Sequence, residues 1–394
     1  MNSTENVVEE FTRSNPEVED LTAYCRRALQ SLPRSDQRRW GEIYVRGLVT
    51  VPGRKSIRRI ADQVVGQRVD QGLQQFVNQS PWCSAAVRKD VVRGLTGAFR
   101  PRAWVVDELA FPKNGANSCG VARQFAVGAG RVLNCQLGIG LFLAGEGFAA
   151  AANWRLLLPP HWDTDHALRA RAHVPPHEVA RTRWDYVLDC VDEMTAEWGL
   201  TPAPVVLDAR HDNTVDPGLL RGLEDRGLHY LVRLSAATPL QAGPGTAGPV
   251  TAGAMVTRLR RGATGLTLSR RDADGPLGAT SRFVVEPLPA PRPGAAGCRP
   301  SRLLLVEWTG RDQLRSSAWL TNLTGLRMPE LIGLTRVRQR MAADVSCLYD
   351  DLGLGHFEGR SFRGWHHHVT LVSLAQAYTL LRRLCARDVA GLSA

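Results

Sequence analysis

The sequence predicts an α/β fold: a mixed sheet with helices on its faces, preceded by a basic helical module and interrupted by an insertion ahead of its last helices. Three observations carry this expectation. At Ala103 the apolar spacing changes from three and four residues to strand-like runs. Three strand runs are then followed by helix, strand, helix and strand, an order that builds a mixed sheet covered by helices. Residues 236–300 lose periodicity and become rich in Gly, Ala, Pro and Thr.

Taken in order, residues 1–25 form an acidic segment with six acids and one arginine. Residues 26–102 form a basic module with sixteen basic residues and five acids, a surplus equal to the +11 of the whole chain. Apolar residues at helical spacing predict helices over 21–32, 37–48, 56–65 and 70–77, punctuated by Pro33, Pro52-Gly53 and Ser80-Pro81. The run Gly53-Arg54-Lys55-Ser56-Ile57-Arg58-Arg59 offers a helix start among basic residues, where the helix dipole and the arginines favour the same anion.

The first part of the sheet domain covers 103–235. Strands are expected at 103–110, 120–127 and 132–144, a helix at 177–198, a strand at 204–207, a helix at 217–226 and a strand at 230–234. The insertion, 236–300, carries a weak strand near 281–285. The C-terminal part, 301–394, predicts strands at 302–308 and 318–323 and a helix opened by Pro329 with a stripe of Leu331, Leu334, Met341, Val345, Leu348 and Leu352. A last apolar helix is expected at 369–384.

Composition excludes several classes. Hydrophobic residues make up 44% and charged residues 22%, ordinary globular usage rather than disorder. No apolar run is long enough to span a bilayer, and the first residues lack a secretory pattern, so a cytoplasmic protein is expected. Eight cysteines without paired spacing read as reduced, mostly buried thiols. The basic surplus points to a polyanionic partner.

Two acids stand out. Asp107 ends the apolar run Trp104-Val105-Val106, and Asp208 ends Val205-Val206-Leu207. A carboxylate at the end of a buried strand is costly unless paired or holding a metal, and two side by side favour a cation such as Mg²⁺ or Mn²⁺ between them. Either residue alone reads better as a strand-end Asp capping the next turn; it is the pair in this order that favours a metal site. His366-His367-His368 reads as a helix start with structural or DNA-contacting use rather than a metal tract. Trp154, Trp162, Trp184, Trp198, Trp308 and Trp319 read as core.

Longer motifs carry a resemblance. They are Leu32-Pro33-Arg34-Ser35-Asp36-Gln37-Arg38, Leu73-Gln74-Gln75-Phe76-Val77-Asn78-Gln79-Ser80-Pro81-Trp82, Val106-Asp107-Glu108 with Phe111-Pro112-Lys113, Gly120-Val121-Ala122-Arg123-Gln124 and Asn134-Cys135-Gln136. Near the end stand Gly353-Leu354-Gly355-His356-Phe357-Glu358-Gly359-Arg360 and Gly364-Trp365-His366-His367-His368. In these the sequence resembles bacterial insertion-sequence DDE transposases of the insertion sequence 701 type. The resemblance implies a ribonuclease H-like catalytic domain, a DNA-binding N-terminal module, duplex DNA as partner, a nucleoid-associated location and compatibility with a homodimer.

It also implies phosphodiester chemistry on two divalent ions, Mg²⁺ or Mn²⁺, held by three carboxylates. Asp107 matches the first family acid and Asp208 the second, with Glu108 a secondary candidate. The third departs. The family's Tyr-x2-Arg-x3-Glu-x6-Lys pattern falls, without gaps, on Thr335, Arg338, Ala342 and Tyr349, so only the arginine is kept. Asp344 is turned about 200° from position 342 on a helix, and Glu358 is the remaining candidate acid. The segment Ala209-Arg210-His211-Asp212 replaces the family's aromatic-glycine turn. Arg54, Lys55, Arg58, Arg59, Lys113, Arg123 and Arg338 are the candidate DNA contacts. Three functions are open: a transposase with impaired nuclease chemistry, a non-catalytic DNA-binding regulator, and a fold recruited for acid–base chemistry on a small molecule.

Overall fold

The computed structural model describes residues 16–66, 70–212, 215–241, 248–262, 266–269, 280–288, 301–309 and 315–391. Five helices come first: α1 (Pro16–Ala28), α2 (Ser35–Thr50), α3 (Ile57–Val64), α4 (Asp70–Asn78) and α5 (Ser84–Ala98). Ser56 caps α3 by accepting from the Arg59 amide at 3.3 Å, as the Gly53–Ile60 run predicts. The apolar spacing reading omits α5, although Val87, Val91, Val92 and Leu95 are buried along one stripe. Gly94 and Gly97 dilute its pattern.

Four strands follow: β1 (Ala103–Pro112), β2 (Ala122–Ala126), β3 (Arg131–Ala144) and β4 (Ala149–Leu156). After them come α6 (His161–Thr164), α7 (His166–Ala172) and α8 (Arg183–Asp192), which runs on as a wider π turn through Glu197. Thr182 and Asp185 form a reciprocal capping box that starts α8 six residues later than expected. β5 (Val205–Asp208), α9 (Pro217–Asp225) and β6 (Tyr230–Arg233) match their expected places. Asp216 caps α9 through the Gly218 amide at 2.7 Å, with Pro217 at the first turn.

The stretch expected as an insertion holds β7 (Pro239–Leu240), β8 (Val250–Thr251), α10 (Ala252–Gly262), β9 (Leu266–Ser269) and β10 (Thr280–Leu288). β10 pairs along its full length with β11 (Arg302–Thr309), so this part of the stretch extends the sheet rather than looping off it. β12 (Arg315–Thr321) completes the strands. The helix expected from Pro329 is three pieces: α11 (Met328–Thr335), α12 (Val337–Arg340) and α13 (Ala342–Asp350). The chain ends in α14 (Phe362–Gly391).

Two compact units result. One comprises Met1–Arg102, Asp107–Leu200 and Met341–Ala394; the other comprises Ala103–Val106 and Thr201–Arg340. In the first, β3 pairs antiparallel with β2 and β4, and α14 packs on β4, α2, α4 and α5. From Gly364 to Tyr378 α14 is buried on every side, so its apolar residues follow no single stripe. Every β4 residue but Arg155 is buried, which is why its Ala149-Ala150-Ala151-Ala152 run does not alternate as a half-buried strand would.

In the second unit, β5 runs parallel to the start of β1, with Trp104 opposite Val205 and Val105 opposite Val206. It also runs parallel to β6. The pairs β6–β12, β12–β11, β11–β10 and β10–β9 are antiparallel. The sheet is therefore mixed and flanked by helices, the ribonuclease H-like arrangement expected from the sequence.

The six tryptophans read as core are all buried. Cys25, Cys119, Cys135 and Cys190 are buried free thiols, whereas Cys83 and Cys385 are exposed; Cys298 lies outside the described residues. No helix among the described residues is long and apolar enough to cross a membrane.

Candidate active site

Asp208 is the last residue of β5, and its side chain is only 6% exposed. Both oxygens are taken by arginines. Arg210 Nε lies 3.0 Å from Oδ1 and 2.9 Å from Oδ2, and the Arg210 amide donates to Oδ1 at 3.0 Å. Arg338, from α12, donates to Oδ2 at 3.2 Å. Arg233, the register partner of Asp208 on β6, places a third guanidinium 3.9 Å away. Burial alone would raise the Asp208 carboxyl, but the Arg210 hydrogen bonds, with the Arg210 and Arg338 charges, hold it below the usual carboxylate range. The signal for this in the sequence is Arg210 itself, two residues past Asp208 where the strand ends.

Asp107 is half-buried on β1 and accepts the Glu108 amide at 3.1 Å. Glu108 is directed to Arg183 at 3.6 Å, as a strand neighbour on the opposite face should be. Tyr349, from α13, donates its hydroxyl to the Ala110 carbonyl of β1 at 3.0 Å. Burial, then the Asp107 charge, pushes that phenol up. Tyr349 is thus close enough to Asp107 to feel its charge.

Ala342 opens α13 and is exposed. Asp344 is occupied elsewhere: it accepts the Ala149 amide at 2.8 Å and the Arg383 guanidinium at 3.0 Å, tying β4 to α14. Glu358 is exposed and pairs with Arg54 at 2.6 Å. Together with Lys113, Asn114, Ser118 and His356 this pair lines a cleft of about 460 Å³ whose lining does not include Asp107.

The candidate DNA contacts separate by exposure. Arg54, Arg58, Arg59 and Arg123 are exposed. Lys55 is 4% exposed, and its ammonium donates to the Val51 carbonyl. Lys113 donates to the Phe357 carbonyl at 2.6 Å, and burial lowers its pKa. Arg338 is committed to Asp208. The three histidines are built into the core. His368 lies 2.9 Å from the Tyr44 hydroxyl and 3.1 Å from the Leu354 carbonyl, and His367 stacks on Trp82 with ring centres 3.6 Å apart.

A model of the DDE superfamily endonuclease family matches residues 27–264, more than half of the chain. The chain belongs to that family. The matched stretch includes Asp107 and Asp208 and stops ahead of Arg338 and Ala342. No curated protein matches it.

DDE endonucleases typically use divalent metal ions, so the donor set of this member can be tested against that need. A hard cation wants carboxylate oxygens with lone pairs to spare. At Asp208 those lone pairs accept from Arg210 and Arg338, and a divalent ion would meet three guanidinium charges. Position 342 supplies no oxygen. Among the described residues no group of three His, Cys, Asp or Glu side chains is arranged to hold a metal. The residues present do not fit the two-ion centre of a DDE enzyme.

Proposed function

We propose that this DDE family member is a transposase-derived protein of the insertion sequence 701 type that binds duplex DNA and whose metal-dependent strand cleavage is impaired. The observation that carries the reading is the arginine-held Asp208, coupled to alanine at position 342. A carboxylate already neutralised by guanidinium groups offers little to Mg²⁺ or Mn²⁺.

DNA binding is what remains to this chain. The exposed Arg54, Arg58 and Arg59 surround the start of α3, where the amide dipoles also favour a phosphate. A protein that holds a transposon end without cutting it acts as a regulator or inhibitor, and it would sit on the nucleoid.

Two measurements test this on the full chain. Gel retardation of duplex DNA should show binding that weakens steeply as salt rises. Nicking of supercoiled plasmid with Mg²⁺ or Mn²⁺ should stay near background and appear in Ala342→Glu combined with Tyr349→Lys and Arg210→Ala. Vigorous nicking by the unsubstituted protein, or no duplex binding at low salt, would overturn the proposal.

A further inference from the structure

β2 and β3 form a hairpin whose two faces differ. Register pairs Ala122 with Cys135, Gln124 with Leu133 and Ala126 with Arg131 on one face, and Arg123 with Asn134 and Phe125 with Val132 on the other. The first face is anchored: Ala126, Cys135 and Leu137 form a buried cluster with Leu133 packed on it. The second face breaks the usual alternation, since an outward strand face is normally polar. Phe125 is 46% exposed and Val132 53% exposed, and these directly opposed residues are among the few large apolar side chains left exposed among the described residues.

The stretch of sequence that carries this apolar pair has charge of one sign. Arg123 and Arg131 are both exposed, and the sequence has no Asp or Glu from Leu109 through Gly145. Gly130, at φ 63°, lets the chain reverse tightly and keeps the ribbon two strands wide. A two-stranded ribbon is narrow enough to enter a DNA groove. Apolar side chains set against base steps unstack them, and arginines beside them hold phosphates.

We infer that the outer face of the β2–β3 hairpin is a contact for duplex DNA, with the Phe125–Val132 pair against the bases and Arg123, on the same face, on a flanking phosphate. This rests on the reading of the protein as DNA-binding and assigns part of that interface. The absence of carboxylates from residues 109–145 favours a polyanion over a protein partner, for which the same apolar pair would otherwise serve.

The test uses the full chain with duplex DNA carrying 2-aminopurine as a reporter of base unstacking. Phe125→Ala with Val132→Ala should weaken binding by about 10-fold to 100-fold, leave the salt dependence unchanged and abolish the fluorescence rise. Arg123→Ala should weaken binding and lower the salt slope by about one. Both sets lie on the surface, and circular dichroism checks their fold. Duplex binding and fluorescence untouched by the Phe125 and Val132 substitutions would sink this inference alone. So would a change in sedimenting mass without a change in DNA affinity, which would make the patch a protein interface. If the unsubstituted chain binds no duplex, this inference falls together with the proposed function.

Discussion

At Asp208 a single buried carboxylate is surrounded by the guanidinium groups of Arg210, Arg338 and Arg233. Its carboxylate sits at 6% exposure, while the Arg210 and Arg338 side chains are 40% and 30% exposed. Removing one partner of a fully buried pair costs about 3–5 kcal/mol; here the guanidiniums reach water, and Asp208→Ala should cost about 1–3 kcal/mol. Urea unfolding measures this, and a change within error would show that the arginines relax freely into solvent. The same geometry predicts indifference to metal. An ion at ten times its dissociation constant would stabilise the fold by about 1.4 kcal/mol, so millimolar Mg²⁺ or Mn²⁺ should leave the melting temperature unchanged. A clear upward shift would place an ion where the arginines stand. Of this centre, the sequence made legible the strand-end position of Asp208 and the lack of an acid at 342, whereas Asp107, expected at a strand end, lies mid-strand because β1 runs on to Pro112. It did not reveal the guanidiniums: Arg233 and Arg338 reach Asp208 only through sheet register and the placement of α12, neither of which residue spacing encodes.

At the scale of elements, α14 shows how burial overrides local pattern. It was legible as apolar, and its tripled histidines, read as a helix start with structural or DNA-contacting use, are all buried. Burial drives the imidazoles of His367 and His368 down to about 4 and lowers that of His366, against carbonyl contacts that raise the first two. Unfolded histidines protonate near 6.5. Between about 6.5 and about 4 the unfolded chain therefore binds more protons, so stability rises with pH across that window and is complete above it. Acidification through that window costs the fold on the order of 3 kcal/mol for each of the two. The melting temperature should fall steadily from pH 6.5 to 5, above the range where ordinary carboxylates titrate, and His367→Gln should flatten that slope. A melting temperature constant over this range would contradict the buried neutral state.

The motif before α14 has an equally local cause. Gly353 adopts φ 69°, with a built Cβ meeting the Lys55 side chain. Gly353→Ala should thus cost about 1–3 kcal/mol through backbone strain alone, measurable as a lowered urea midpoint. A neutral effect would mean that the turn can take another conformation. Strands with alternation or β-branched runs, such as β1, β5 and β6, were readable from the sequence. β4 was not, because four alanines carry no strand signal once both faces are covered, and the third-acid helix was read as continuous because its apolar stripe runs past the breaks at Arg336 and Met341.

For the molecule as a whole, net charge would set the terms of the proposed DNA binding, and only charges that water can reach would take part. Residues 26–102 carry a surplus equal to the chain's full +11, yet Lys55 is buried on a carbonyl and Arg46 and Arg88 are buried as well. These buried cations release no counterions from DNA. Exposed ones do: each phosphate contact contributes close to one unit to the slope of log affinity against log salt. Arg58→Ala and Arg59→Ala should therefore each weaken duplex binding at all sequences alike and lower the slope by about one. Lys55→Met should leave the slope intact and shift stability instead. Slopes measured from about 50 to about 200 mM salt separate the two classes. If Lys55→Met lowered the slope as much as Arg58→Ala, the module would have to open on DNA and expose that ammonium. If neither arginine mattered, the basic surplus would be a solvated face and the anion-binding start of α3 would lose its role.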